Sequence, residues 1–98
     1  MKKAAVYIIY SKKLNKFYIG KTENFCQRIL FHNSDENEKW SKAGRPWNEF
    51  LIIDCQCFKQ AGKVEHYIKA QKSRKYLISL KERPEYVENL LGRFAHDC

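Results

Sequence analysis

The chain has 98 residues, nineteen Lys and Arg against eleven Asp and Glu for a net charge of +8, and 44% hydrophobic side chains. That length predicts one domain spanning residues 1–98, and the apolar content excludes a disordered segment even with 31% charged residues. No run approaches the roughly twenty apolar residues of a membrane-crossing helix, and a field of this sign gathers polyanions, nucleic acid first among them.

Residues 4–10 form an unbroken β-prone run and residues 16–20 a second, joined by a polar segment, 11–15, with the character of a hairpin connection. The two-residue period of a strand puts Tyr7 and Ile9 on one face and Val6, Ile8 and Tyr10 on the other. Tyr18 and Gly20 share a face of the second strand, but the hairpin register decides whether it is the face of Tyr7, and the sequence leaves that register open. Thr22 is the predicted N-cap of a helix in which Phe25, Cys26, Ile29 and Leu30 recur at amphipathic spacing as far as about His32. Arg28 and His32 lie four apart on its flank, beside the apolar stripe.

Segment 33–39 is polar and loop-like, and 40–47 predicts a short ordered turn region. Its tryptophans, Trp40 and Trp47, suit packing around Pro46 or, less ordinarily, stacking on a splayed base. A third strand is predicted over 50–58. From Gln60 a helical stripe of Ala61, Val64, Ile68 and Gln71 follows, continued by Tyr76, Leu77 and Leu80 as one long helix until Arg83-Pro84 interrupts it. A last helix, about 85–91, is stopped by Gly92. Two strands, helix, strand, long helix and short helix make an α+β fold, a small three-stranded antiparallel sheet flanked by helices.

Cys26, Cys55, Cys57 and Cys98 contain no C-x-x-C pair, and no secretory leader precedes the first strand, so reduced thiols and a cytoplasmic location are expected. With His32, His66 and His96 they have none of the spacing of a zinc finger or ribbon.

Taken in order, Ala5-Val6-Tyr7-Ile8-Ile9, then Asn15-Lys16-Phe17-Tyr18-Ile19-Gly20, then Asn24, Arg28 and His32, and finally Glu65 on a later helix resemble the GIY-YIG nuclease family over residues 4–78. The Tyr18-Ile19-Gly20 motif is intact, while Ala5 and Val6 stand where the family name records Gly and Ile. The chain is most similar to the small stand-alone members, which are related to the nuclease domain of the bacterial excinuclease. The resemblance implies a metal-dependent endonuclease hydrolysing DNA phosphodiester bonds, with a place in DNA repair or recombination. It also implies Tyr7 as general base or water-orienting phenol, Tyr18 hydrogen-bonded beside it, and Glu65 as the carboxylate for one divalent ion, Mg2+ or Mn2+. Family members often carry a late asparagine, for which Asn89 is the candidate here.

The residue chemistry supports these roles. A phenol with pKa near ~10 is a poor base at neutral pH, so a neighbouring cation is needed, and Lys21, directly after Gly20, is the candidate. Arg28 can offer two parallel N–H donors to a phosphoryl group, and His32 can donate to it or shuttle a proton. Lys42, Arg45, Lys69, Lys72, Arg74 and Lys75 are expected to track the phosphate backbone. Glu65 has a plainer alternative, an i,i+4 ion pair with Lys69; a metal ligand must face the strand hairpin, whereas a surface pair need not. DNA is the expected partner, with a protein partner supplying specificity, and neither a membrane nor a small-molecule cofactor is expected. The competing readings are a catalytically inactive nucleic-acid-binding module on the same scaffold and a basic domain that docks on an acidic protein.

Overall fold

The structure, a computed structural model, describes residues 3–35 and 40–98, without the Trp40 side chain. The end of the polar segment, 36–39, and both roles considered for Trp40 lie outside the described residues. Three strands, β1 (Ala4–Ser11), β2 (Lys16–Thr22) and β3 (Trp47–Cys55), form one antiparallel sheet in the order β2-β1-β3. Being central and covered on both faces, β1 is apolar at nearly every position, with Val6, Ile8 and Ile9 at 0% exposure and Tyr7 at 2%.

Helix α1 (Phe25–His32) covers one face, where Tyr7, Ile9 and Trp47 pack with Tyr18, Phe25 and Ile29. Helices α2 (Phe58–Gln71), α3 (Arg74–Glu82) and α4 (Pro84–Arg93) lie over the other, where Val6, Ile8 and Ile53 meet Ala61, Val64, Ile68, Leu77, Leu80 and Leu90. Each fully buried Ile or Leu there contributes on the order of 1.5–3 kcal/mol. The α+β architecture expected from the element order is the one observed.

Several local expectations are corrected. The N-cap of α1 is Asn24, whose Oδ1 accepts from the Gln27 N–H at 3.1 Å, while the Thr22 hydroxyl accepts from the Asn24 N–H and shapes the turn before it. A single 3-10 turn, Trp40–Gly44, leads into β3, which starts at Trp47 rather than at 50. Asn33 accounts for the early start: its Oδ1 accepts from the Trp47 N–H at 2.6 Å and its Nδ2 donates to the Trp47 carbonyl at 3.0 Å, so one side-chain amide does the work of a neighbouring strand. The strand ends at Cys55 because Cys57 is already the N-cap of α2, its sulfur accepting from the Gln60 N–H.

The long helix is two. Lys72 adopts the left-handed region at φ 49°, and Ser73 restarts the chain by accepting from the Tyr76 N–H at 3.1 Å. Gly92 lies inside α4 rather than ending it. Cys57 and Cys98 form a disulfide, which leaves Cys26 and Cys55 as the free thiols and overturns the expectation that all four are reduced. Partners 41 residues apart leave no local spacing to read. Beside this link the buried Gln60 donates to the Phe94 carbonyl at 3.3 Å, so the C-terminal segment is held at the start of α2 twice over. Among the described residues, no helix is long and apolar enough to cross a membrane.

Candidate active site

The register resolves the question the sequence left open. Tyr7 pairs with Gly20 and Ile9 with Tyr18, so both tyrosines project from the α1-side face. Their rings stack with centroids 6.1 Å apart and planes 21° from parallel. Tyr7 lies directly across β2 at Gly20, where an added Cβ would come within 2.5 Å of the Tyr7 Cζ. No glycine among the described residues has a positive φ, so position 20 needs glycine because of the phenol above it and not because of its backbone.

Expected on the flank of α1, His32 is instead fully buried at 0% exposure. Phe25, Ile29 and His32 follow the i, i+4, i+7 rhythm of the inward stripe, so the apolar face of α1 ends in an imidazole. The His32 Nε2 is 3.1 Å from the Tyr7 hydroxyl and its Nδ1 is 3.0 Å from the Ser41 Oγ, with the Tyr18 ring 4.7 Å away between centroids. In the tautomer with its proton on Nδ1, the phenol donates to Nε2 and the imidazole donates to Ser41, forming a continuous proton path of three side chains. Ser41 has no sequence signal that would have singled it out.

Burial drives the Tyr7 phenol well above its ordinary pKa; the neighbouring Tyr18, by charge and by hydrogen bond, and the Glu65 carboxylate push the same way, while Arg28 pulls it down. The expectation of a lowered pKa is therefore reversed. Lys21 is not the cation concerned: it pairs with Val6 and so projects from the opposite face, its ammonium 4.5 Å from the Phe58 ring centroid. It does line, with Arg28, Asn24, Gln27 and Phe58, a cavity of about 460 Å3 that runs from α1 to the start of α2.

Glu65 comes from α2, beneath the sheet, and its charge is the least of the influences that raise the Tyr7 phenol. Tyr7 lies against Gly20 of β2, an edge strand, so the phenol stands near the margin of the sheet. The plainer alternative is present as well: Lys69 Nζ lies 3.1 Å from Glu65 Oε2, with the glutamate side chain 16% exposed and the lysine 54%. An i,i+4 pair whose lysine is half exposed contributes about 0.3–0.5 kcal/mol, little against competition from a divalent ion. Among the described residues no three His, Cys, Asp or Glu side chains converge. The hard carboxylate oxygens of Glu65 are of the donor type that Mg2+ and Mn2+ prefer. Asn89 lies elsewhere, in a small cavity of about 140 Å3 shared with Tyr67, Tyr76, Tyr86 and Arg93.

The basic residues divide into two groups. Lys42 is exposed on the 3-10 turn, and Arg45 is engaged locally, 2.8 Å from Asp35, whose carboxyl that hydrogen bond holds below its usual range. Lys69, Lys72 and Arg74 gather at a separate groove beside Lys16, with Lys75 exposed on α3 nearby.

No curated protein and no solved structure matches the chain significantly. Residues 3–77, from the start of β1 into α3, match the family described as the GIY-YIG catalytic domain, a span that takes in Tyr7, Tyr18, Gly20, Arg28, His32 and Glu65 and leaves out Asn89. The paired tyrosines over a glycine notch and the histidine bonded to one of them thus stand, with Arg28 and Glu65, within a matched span covering most of the sequence, and the chain belongs to the GIY-YIG family of nuclease domains.

Proposed function

We propose that the domain is an endonuclease that hydrolyses DNA phosphodiester bonds at the Tyr7 site with a divalent ion held by Glu65. The observation that carries this reading is the hydrogen-bonded run from Tyr7 to His32 to Ser41, set beside the opposed charges of Arg28 and Glu65. A net charge of +8 supports DNA as the polymer.

The raised pKa of Tyr7 argues against a resting phenolate, so the phenol acts as a relay. A water hydrogen-bonded to the Tyr7 oxygen attacks phosphorus. As the new O–P bond forms, the water's proton passes to the phenol oxygen while the phenol's own proton passes to His32 Nε2, and Tyr7 stays neutral throughout. His32 becomes an imidazolium, oriented by Ser41, and later returns its proton to solvent. Arg28 meets the negative charge that develops on the phosphoryl oxygens, and Lys21, facing the same cavity, binds a flanking phosphate. Glu65 would hold the divalent ion, which would supply positive charge to offset the negative charge developing in the reaction. The leaving oxygen takes up a proton from solvent as its bond to phosphorus breaks.

Supercoiled, branched and single-stranded DNA incubated with Mg2+ or Mn2+, and again with chelator, tests the proposal alongside Glu65→Gln. Metal-dependent nicking that disappears in Glu65→Gln while DNA binding persists is the expected result. Binding without cleavage of any substrate would favour an inactive nucleic-acid-binding module, and no salt-dependent DNA binding at all would favour docking on an acidic protein.

A further inference from the structure

On the α2 face of the sheet, away from Tyr7, a groove of about 260 Å3 opens between β2 and the break separating α2 from α3. Its floor is apolar, formed by Phe17, Ile19, Ile68 and Leu77, and its rim is cationic, formed by Lys16, Lys69, Lys72 and Arg74, with no acidic residue in the lining. Neither Lys16 nor Lys72 has an acidic partner among the described residues. The turn at Lys72 gives this rim its shape: the left-handed residue stops α2 and carries Lys72 and Ser73 over the opening.

Arg74 is held in an unusual way for a surface arginine. Its Nη1 donates to the Asn15 carbonyl and its Nη2 to the Asn15 Oδ1, both at 2.9 Å, and its guanidinium lies 5.2 Å from the Phe17 ring centroid. Asn15 is itself fixed in the left-handed region at φ 52°, in the β1–β2 turn. A guanidinium fixed by two hydrogen bonds and backed by an aromatic ring is a preorganised flat cation, and its conformational entropy is already spent before any ligand arrives.

We propose that this groove holds one unpaired nucleotide of a nucleic-acid strand, with the base stacked on the Arg74 plane over the apolar floor and the flanking phosphates on Lys16 and Lys72. The inference rests on the nucleic-acid reading above. A bare anion would have no use for the floor, and an apolar ligand would have none for the cations. Base pairs in a duplex keep their faces stacked on one another, so only a splayed or single-stranded base presents a face to a guanidinium plane. The groove's volume, a little under the ~300 Å3 at which small-molecule sites begin, suits one nucleotide and not a helix. The domain would thereby favour DNA with an unpaired segment beside the scissile strand.

Fluorescence anisotropy in chelator, where no cleavage occurs, tests this with three probes: a labelled single-stranded oligonucleotide, the same backbone made abasic, and a blunt duplex of equal charge. The intact single strand is expected to bind at least about fivefold more tightly than the abasic strand, the low end of one base–side-chain stack. Arg74→Lys keeps the charge and removes the plane, so it should erase most of that ratio by lowering intact-strand affinity more than abasic-strand affinity. Lys16→Ala/Lys72→Ala should weaken all three probes together and flatten their salt dependence. Thermal melting of each variant confirms that the hairpin anchored by Arg74 is still folded; should Arg74→Lys melt early, the wild-type ratio of intact to abasic strand decides by itself. Equal binding of intact and abasic strands by the wild-type protein, or an unchanged ratio in folded Arg74→Lys, overturns the proposal. Failure of the wild-type protein to nick DNA with metal present would count against the nuclease reading alone, because these measurements contain no metal.

Discussion

Replacing Gly20 with Ala adds one methyl group and should disturb the site more than any other single-carbon change. The new Cβ would meet the Tyr7 hydroxyl and stand 2.5 Å from Cζ and 2.9 Å from Cε1, closer than real side chains approach. Tyr7 cannot simply swing aside, because it is 2% exposed and lies between Tyr18, Phe25 and His32. Overpacking of this kind costs about 1–3 kcal/mol, and displacing the phenol from His32 adds about 1 kcal/mol for the 3.1 Å hydrogen bond, so a loss of about 2–4 kcal/mol is expected. In a Tyr7→Ala background the clash has no partner. There Gly20→Ala should be neutral or stabilising by about 0.5 kcal/mol, since alanine suits a strand better than glycine does. Urea denaturation of the four proteins of this cycle measures the coupling directly. A cost below about 0.5 kcal/mol for Gly20→Ala alone, or the same cost in both backgrounds, would refute the claim that the phenol dictates the glycine. Nicking offers a second readout, because a shift of about 1 Å in a reacting group costs on the order of a hundredfold in rate.

Three further outcomes follow from the same geometry. Tyr7→Phe leaves a buried imidazole nitrogen without its phenol and should destabilise by about 1–3 kcal/mol, while nicking falls by about 10²–10⁴ and DNA affinity stays the same, as urea melts, plasmid assays and anisotropy would report. Cys98→Ser opens a crosslink between residues 41 apart and should lower stability by about 2–4 kcal/mol, an amount that reductant should reproduce in the wild-type protein and not in the variant. Burial pushes the Cys55 thiol up from 9.0 to about 11. The unfolded thiol therefore ionises first, and stability is full below about pH 9 and declines by up to about 2–3 kcal/mol as pH rises toward 11. Cys55→Ala should make that part of the profile shallower in urea midpoints, leaving the Tyr7 contribution, of the same sign, which sets in above about pH 10.

The sheet is legible in the sequence because its signal is periodic: alternation along 4–10 assigns Tyr7 and Ile9 to one face and Val6 and Ile8 to the other, as the two clusters bear out. Pairing between strands has no such signal, so the meeting of Tyr7 with Tyr18 depends on a register that only the structure supplies. Lys21 is a different case. It follows Gly20 directly, so strand parity puts it on the face opposite Tyr18 and Gly20, and the register that sets Gly20 against Tyr7 then turns Lys21 away from the phenol. His32 escapes the pattern because a polar ring completes the apolar stripe of α1, where hydropathy alone ends that stripe one turn earlier. The break at Lys72 is hidden because apolar residues resume in phase beyond it, with Leu77 and Leu80 burying on the same core as Val64 and Ile68. Ser41, Asn33 and the Cys57–Cys98 link act through contacts distant in sequence, which no local pattern announces.

The reach of the phenol over the outermost strand bears on how a long polymer would be handled. Among the described residues, groups near the margin of a sheet, drawn from β1 and β2 with α1 on one face and α2 on the other, are approached from the side and not through a closed channel. A chain of any length can be laid across such a ledge at any point along its contour, so free termini would be irrelevant to engagement. On the function proposed above, internal scission, rather than trimming from an end, is the mode such a layout would favour.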